Sequence, residues 1–184
     1  HEHPDDFAAT VRRLRELLLD AIHRQLVADV PVASLLSGGL DSGILASVAD
    51  AAFVEAGKTL HTFSVGYKDN KRYFHATKFQ PGADAPFIRT MNENLHATHH
   101  WVTLDTPQLV QALYRAVDAR DLPGMADVDS SLLEFCRCIK PHATVALSGE
   151  CADEIFGGYP WYRDPAVREK YGFPWAQSTA YRAS

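Results

Sequence analysis

The chain has 184 residues, of which 46% are hydrophobic, and its formal net charge is −5. This length suits one domain, or one domain with part of another, and the apolar fraction provides for a sizeable core. Proteins that bind the phosphate backbone of nucleic acid usually carry an excess of basic residues, so the net negative charge argues against nucleic acid as a partner. The sequence has no apolar run long enough to span a bilayer, and its three cysteines do not suggest a disulfide framework. We therefore expect a cytoplasmic protein that does not bind a membrane.

Apolar periodicity and turn residues divide the sequence into alternating helices and strands. The predicted helices are 7–28, 40–56, 84–95, 106–119 and 129–139; the predicted strands are 32–36, 60–67, 99–104 and 144–147; the predicted loops include 68–83 and 122–127. This alternation predicts an α/β fold with an open, mostly parallel, twisted sheet and flanking helices, similar to a Rossmann fold. If the strand order is 3-2-1-4, strands one and four are neighbours where the order reverses, and ligands bind at that point in such sheets.

A glycine-rich turn follows the first predicted strand. It reads Ser37-Gly38-Gly39-Leu40-Asp41-Ser42, and a helix opens directly after the glycines. Adjacent glycines let a ligand approach the main chain, and the free amides of a helix start favour an anion. Asp41 would repel bare phosphate, but Mg²⁺ binds carboxylates together with phosphate oxygens, so the loop predicts a metal–polyphosphate ligand. The alternative is a plain strand–helix turn with Asp41 or Ser42 near the cap.

A second motif follows the fourth predicted strand and reads SGECADEIFGGY from Ser148 to Tyr159. SGGLDS resembles the pyrophosphate-binding loop of the N-type ATP pyrophosphatases, the PP-loop superfamily. The second motif resembles the S-G-E-G-A-D-E-x-F-G-G-Y signature of asparagine synthetases. The motifs stand in the family's order with LHTFSVGY between them, and the resemblance covers nearly the whole chain. It implies the C-terminal synthetase domain of the glutamine-hydrolysing type, with an adenine nucleotide alpha hydrolase-like fold.

The resemblance also implies site residues and their roles. Asp41 and Asp153 would bind Mg²⁺, and Leu35 and Val65 would meet the adenosine of ATP. Glu150 would act at the reacting centre, where a carboxylate can take a proton from attacking ammonia or orient the intermediate. The residues implied at ATP and its pyrophosphate are Leu35, Ser37, Gly38, Gly39, Asp41, Ser42, Val65, Ser148 and Gly149, and those implied in catalysis are Glu150 and Asp153. Glu154 we interpret instead as an acid favoured by a helix start.

In the asparagine synthetase family, the side-chain carboxylate of aspartate attacks the α-phosphorus of ATP, pyrophosphate leaves, and ammonia attacks the resulting β-aspartyl-AMP. The resemblance therefore implies an amide ligase with ATP, aspartate and Mg²⁺ as ligands, and with ammonia from a glutaminase domain outside this sequence. It leaves a homodimer open. The alternatives are a β-lactam-synthetase-like or other amidotransferase that adenylates a different carboxylate, and an ATP-binding fragment without turnover.

The ends and the departures from the family pattern give further expectations. We expect residues 1–159 to form the ATP-pyrophosphatase domain and residues 160–184 to begin a truncated C-terminal region of the same domain. Cys151 stands where the signature often has glycine, and because cysteine is small we expect little change. His96, His99 and His100 lack the usual partners of a zinc site, so we interpret them as surface or packing histidines.

Overall fold

The computed structural model describes residues 4–75, 82–159 and 162. Part of the predicted loop at 68–83 and nearly all of the region 160–184 lie outside these residues. The division of the chain at residue 159 therefore stays a prediction.

Helices and strands alternate along the described chain, as the apolar pattern predicts. The helices are α1 (Phe7–Gln25), α2 (Leu40–Glu55), α3 (Asn70–Tyr73), α4 (Ala85–Glu93), α5 (Thr106–Arg120), α6 (Ala126–Ile139) and α7 (Ala152–Phe156). The strands are β1 (Val32–Leu35), β2 (His61–Tyr67), β3 (Thr98–Leu104) and β4 (Val145–Leu147). Among the described helices, none is both long enough and apolar enough to cross a bilayer.

The four strands form one parallel sheet in the order β3-β2-β1-β4. Ala33 of β1 lies opposite His61 of β2 on one side and Ala146 of β4 on the other. The α/β class and the strand order are confirmed. Because the chain leaves β1 first toward β2 and β3 and later returns to β4, the order reverses between β1 and β4, and a crevice opens there.

Successive strand residues point to opposite faces of the sheet, and each face has its own apolar cluster. On one face, Ala33 and Phe63 pack with Phe135 and Ile139 of α6 and with Ala143. On the other face, three residues form the second cluster: Leu36, Ala46 of α2 and Ile88 of α4. Full burial of a side chain such as Phe63 or Leu36, each 1% exposed, contributes about 1.5–3 kcal/mol.

Several short features differ from the sequence prediction, among them the end of α1, which lies at Gln25 rather than at residue 28. Helix α6 begins at Ala126 rather than near residue 129, because the amide of Asp129 already donates to the carbonyl of Met125 at 2.7 Å. The single turn of α3 lies inside the predicted loop 68–83, and α7 lies inside the second motif, where the sequence analysis gave a helix start at Glu154 but no helix bounds. Helices of four or five residues contain too few positions for an apolar period to show.

A buried carboxylate joins α5 to α6. Glu134 of α6 is 5% exposed. It accepts hydrogen bonds from Arg115 of α5 at 2.9 Å, from Arg137 at 3.1 Å and from the Gln108 amide at 3.3 Å. Charge-assisted bonds to a buried acid are stronger than neutral ones, so this cluster holds two helices that the sheet does not join directly.

We predict that Glu134→Gln lowers the free energy of unfolding by about 1–3 kcal/mol, since a neutral amide keeps the shape but loses the charge-assisted bonds. Urea unfolding measures the change. The control is Glu16→Gln, which removes an exposed pair with Arg13 at 3.4 Å and should change stability too little to resolve. Equal effects of the two variants would contradict a special role for Glu134.

Candidate functional site

The loops that follow β1 and β4 are in direct contact. A Cβ atom placed on Gly149 would lie 3.0 Å from the Cβ of Asp41 and 3.0 Å from the amide nitrogen of Ser42. Glycine permits this close approach, because a side chain here would require the neighbouring segment to move by a few tenths of an ångström. The second motif therefore lies against the first turn of α2, at the crevice where the strand order reverses.

A cleft of about 420 Å³ opens at this contact. Its walls come from the ends of β1, β2 and β4, the starts of α2 and α4, one side of α6, and the second motif. Of the residues predicted at the site from sequence, ten line the cleft: Leu35, Ser37, Gly39, Asp41, Ser42, Val65, Ser148, Gly149, Glu150 and Asp153.

Gly38 is the predicted site residue that faces elsewhere. Its φ is +80°, a left-handed angle that side chains rarely adopt. A Cβ there would lie 3.0 Å from the Asp84 carbonyl oxygen, 3.0 Å from the Cβ of Phe87 and 3.1 Å from the Cγ1 of Ile88. Gly38 thus turns the chain and lets α4 pack closely. A contact between its backbone and a ligand stays a prediction.

The glycine-rich loop is held by hydrogen bonds between its own serines. The Ser42 hydroxyl accepts from the amide of Ser37 at 3.1 Å and lies 2.9 Å from the Ser37 hydroxyl, while the amide of Gly39 donates to the Ser37 hydroxyl at 3.3 Å. Ser42 is also 3.2 Å from the Gly39 carbonyl, to which it can donate. Two arrangements are therefore possible. If Ser42 donates to the Gly39 carbonyl, the Ser37 hydroxyl can donate to Ser42. If Ser42 donates to Ser37 instead, the proton of the Ser37 hydroxyl can point into the cleft.

Helix α2 begins at this loop, and its N-cap residue is Gly39, which has no side chain to cap the helix. The first amides of a helix have no acceptor within the helix, and the helix dipole makes that end positive. Asp41 lies in the same first turn. The start of α2 therefore offers amide donors and one carboxylate at the edge of the cleft.

The opposite wall is apolar. It contains Leu35 and Val65, which the sequence analysis expected to meet the adenosine. The other apolar residues of this wall are Phe63 of β2 and Leu132 and Phe135 of α6. Sequence reasoning missed Phe63, although it lies two residues before Val65 and so on the same face of β2. Leu132 and Phe135 show the three-residue spacing of one helix face, but the local sequence does not indicate that α6 packs at the crevice.

The polar lining is acidic. Among the described residues that line the cleft, four are carboxylates and none is lysine or arginine; the carboxylates are Asp41, Asp84, Glu150 and Asp153. The pKa of Tyr159 is raised, first by its hydrogen bond to Glu154, then by burial and by the charges of Glu154, Asp153 and Glu150. Asp84 and Tyr159 line the cleft as well, although the sequence analysis did not assign them to the site.

Hard oxygen ligands are what Mg²⁺ prefers. Asp41 enters the cleft from the first turn of α2, and Asp153 enters it from the first turn of α7. The carboxylate of Asp153 also lies directly against Gly158, where a side chain would collide with it. Two carboxylates, the chemical class of ligand that magnesium accepts, thus enter the cleft from different helices; that Asp41 and Asp153 bind Mg²⁺ stays a prediction.

The second motif forms a compact turn around α7. The hydroxyl of Tyr159 donates to the carboxylate of Glu154 at 3.1 Å. Glu154 lies in the first turn of α7 and is exposed, as suits an acid at a helix start. Glu150 precedes that helix and lines the cleft.

Cys151 is the N-cap residue of α7 and has a φ of 70°. The expectation of little change at this position considered side-chain size alone. A left-handed angle costs a residue with a Cβ about 1–2 kcal/mol, and glycine avoids that cost. The backbone therefore explains why glycine suits this position better than cysteine.

We predict that Cys151→Gly raises the free energy of unfolding by about 0.5–1 kcal/mol, the relief of the left-handed angle less the greater entropy of glycine in the unfolded chain. Thermal or urea unfolding measures it. Cys151→Ala removes the thiol but keeps the Cβ, so it should give no such gain. A gain of the same size in the alanine variant would assign the effect to the thiol.

Comparison with known proteins agrees with the two motifs. Residues 13–184 match the family model described as Asparagine synthase. The chain is 52% identical over 182 residues to "Asparagine synthetase [glutamine-hydrolyzing] 3" of Bacillus subtilis, covering 98% of this chain and 29% of that protein. It is 35% identical over 156 residues to "Asparagine synthetase [glutamine-hydrolyzing] 1" of the same organism, covering 84% of this chain and 22% of that protein.

A third relative carries a different name. The chain is 32% identical over 181 residues to "Amidase chry2" of Gibberella zeae, covering 91% of this chain and 26% of that protein. The chain thus spans less than a third of the length of these relatives. The match over residues 13–184 shows that the chain belongs to the asparagine synthase family.

Proposed function

We propose that the cleft binds ATP together with Mg²⁺, and that the protein of which this chain forms part uses it to convert aspartate to asparagine. The observation that carries the proposal is the contact of Gly149 with Asp41 and Ser42, because it brings the two family motifs to one cleft. The apolar wall of Leu35, Phe63 and Val65 suits a nucleobase and ribose, and the start of α2 suits a polyphosphate.

The charges of the cleft favour a metal–nucleotide complex over free ATP. A polyphosphate would be repelled by the carboxylates of Asp41, Glu150 and Asp153 if it entered without a cation. Mg²⁺ held by Asp41 and Asp153 would supply positive charge that balances the phosphates and the leaving pyrophosphate. The amides at the start of α2 and the hydroxyl of Ser37 would orient the β- and γ-phosphate oxygens.

The proposed chemistry has two steps. In the first, the side-chain carboxylate of aspartate attacks the α-phosphorus, the bond to the bridging oxygen breaks, and pyrophosphate leaves, giving β-aspartyl-AMP. In the second, ammonia derived from glutamine attacks the acyl carbon and AMP leaves. Glu150, which precedes α7 and lines the cleft, would take a proton from the attacking ammonia or orient the intermediate.

A second candidate is an amidotransferase that adenylates a different carboxylate. It is favoured by the relative named as an amidase, which matches nearly the whole chain. The described cleft residues that meet ATP in our proposal are compatible with either substrate, since they address the nucleotide rather than the carboxylate to be activated. Substrate identity must therefore be measured rather than read from these residues.

The cellular location of the protein is proposed from its cysteines. Cys136, Cys138 and Cys151 are free and exposed. Thiols persist in a reducing compartment, which supports a cytoplasmic location. A homodimer remains a proposal from the family resemblance alone.

For ATP binding, we predict that Asp41→Asn weakens the affinity for ATP at saturating Mg²⁺ at least about tenfold, or about 1.4 kcal/mol, because one metal ligand is lost. With Mg²⁺ removed by chelation, the same variant should bind ATP no worse than the wild type, since a repelling charge is gone. Calorimetric titration measures both.

The control for this titration is Asp29→Asn, which changes an exposed carboxylate in the loop before β1. It should bind ATP as the wild type does with and without Mg²⁺. Equal weakening of the Asp41 variant with and without Mg²⁺ would argue that Asp41 acts on the fold of the loop and not through a metal.

For the reaction, we predict that the full-length protein of which this chain forms part exchanges labelled pyrophosphate into ATP only when aspartate is present. Exchange requires reversible formation of the acyl-adenylate, so it reports the first step alone. Glutamate, one methylene longer, is the matched control substrate and should support little exchange. Exchange with a different carboxylate but not with aspartate would favour the second candidate, while retained Mg²⁺-dependent ATP binding without any exchange would indicate a nucleotide-binding module.

A further inference from the structure

Three histidines meet on the face of the sheet that carries Phe63. His61 is the first residue of β2, His100 is the third residue of β3, and His142 lies in the turn between α6 and β4. One ring nitrogen from each lies within 4.8 Å of the others. None of the three lines the cleft, although His100 stacks on Phe63, which does. The histidine cluster, as these three residues are called below, is therefore a neighbour of the proposed ATP site and shares no residue with it.

Strand register brings the first two rings together. His61 is paired with Thr98, and Phe63 is paired with His100. Because side chains alternate along a strand, His61 and His100 project from the same face as diagonal neighbours. His142 is fixed in the adjacent turn, where its amide donates to the carbonyl of Ile139 at 2.8 Å.

The rings pack on one another and on Phe63. The ring centroids of His100 and His142 are 4.3 Å apart, those of His61 and His100 are 5.1 Å apart, and His100 stacks on Phe63 at 4.5 Å. The Nδ1 atom of His61 lies 2.8 Å from the Nε2 atom of His100, so one ring donates a hydrogen bond to the other.

The local H-x-x-H-H motif does not form this cluster. His96 is turned to the buried carboxylate of Asp50, whose oxygen accepts from its backbone amide at 2.9 Å. The ring of His99 projects from the other face of β3 and hydrogen-bonds the hydroxyl of Thr62 at 2.9 Å. Interpretation as surface or packing residues suits these two histidines, while His100 joins partners that are distant in sequence.

We propose that His61, His100 and His142 bind one zinc-class transition-metal ion through three imidazole nitrogens, with a fourth position open to water. Three neutral imidazoles are a common ligand set for zinc, and imidazole suits such metals better than it suits Mg²⁺. His61 and His100 are half-buried and His142 is exposed, so the ion can enter from solvent.

Binding requires two changes in the cluster. The hydrogen now shared between His61 and His100 moves to the other nitrogen of its ring, so both facing nitrogens can become ligands and no net proton is lost. The two nitrogens, now 2.8 Å apart, must also separate by about half an ångström, because ligands about 2.0–2.1 Å from a tetrahedral zinc ion are about 3.3 Å from each other. The ion would join the α6–β4 turn to β2 and β3. It would thus stabilise the starts of β2 and β3, and none of its three ligands lines the cleft.

The experiment titrates Zn²⁺ into metal-free protein that carries no polyhistidine tag, by calorimetry. We expect one equivalent to bind to the wild type, and His142→Ala to lower the affinity at least about tenfold. His142 is exposed, so its replacement should leave the circular dichroism spectrum unchanged. Co²⁺ replaces Zn²⁺ in a parallel titration, because the visible absorption bands of tetrahedral Co²⁺ report the coordination directly.

The matched control is His23→Ala, which removes an exposed imidazole from the last turn of α1 and should bind Zn²⁺ as the wild type does. Zn²⁺ should also raise the melting temperature of the wild type and the control, but not that of His142→Ala. Absence of stoichiometric binding by the wild type would overturn the proposal. Equal binding by the wild type and His142→Ala would overturn it too, since the ion would then lie elsewhere.

Discussion

The contact between Gly149 and the start of α2 is the constraint on which the site depends. It exists because β1 and β4 are neighbours in the sheet, so the segments that follow them leave from the same edge. Had the order placed β4 beside β3, two strands would lie between β4 and β1, and the two motifs would be at opposite edges of the sheet. Gly149 then removes the side chain that would hold the segments apart. Topology brings the motifs together, and one missing Cβ closes the gap.

Charge in the cleft is arranged around that contact. The positive end of the α2 dipole and its free amides lie beside several carboxylates, so the cleft both attracts and repels an anion. A ligand that carries its own cation satisfies both features, and a bare anion satisfies only one. Under the proposed function, this explains how a cleft whose described lining lacks lysine and arginine can bind ATP together with Mg²⁺.

Much of the fold and of the site followed from sequence because the signals were local. Apolar alternation predicted all four strands and the main helices, and the glycine-rich turn marked one of the loops that line the cleft. The rest depends on distant contacts. The early start of α6 follows from a bond between Met125 and Asp129, the role of Phe63 in the cleft wall needs the reach of α6, and the histidine cluster needs the register of β2 and β3. No local pattern encodes these.

The hydrogen bonds between Ser37 and Ser42 have a consequence for the speed and cost of recognition. A glycine-rich loop is normally flexible, and a ligand must then freeze its backbone, which costs about 1–2 kcal/mol per residue in entropy. Here the hydrogen bonds between the serines order the loop without a ligand. Under the proposed function, less of that entropy would be lost on binding than for a loop without such bonds. Rotation of the Ser37 hydroxyl toward a bound phosphate would take picoseconds to nanoseconds.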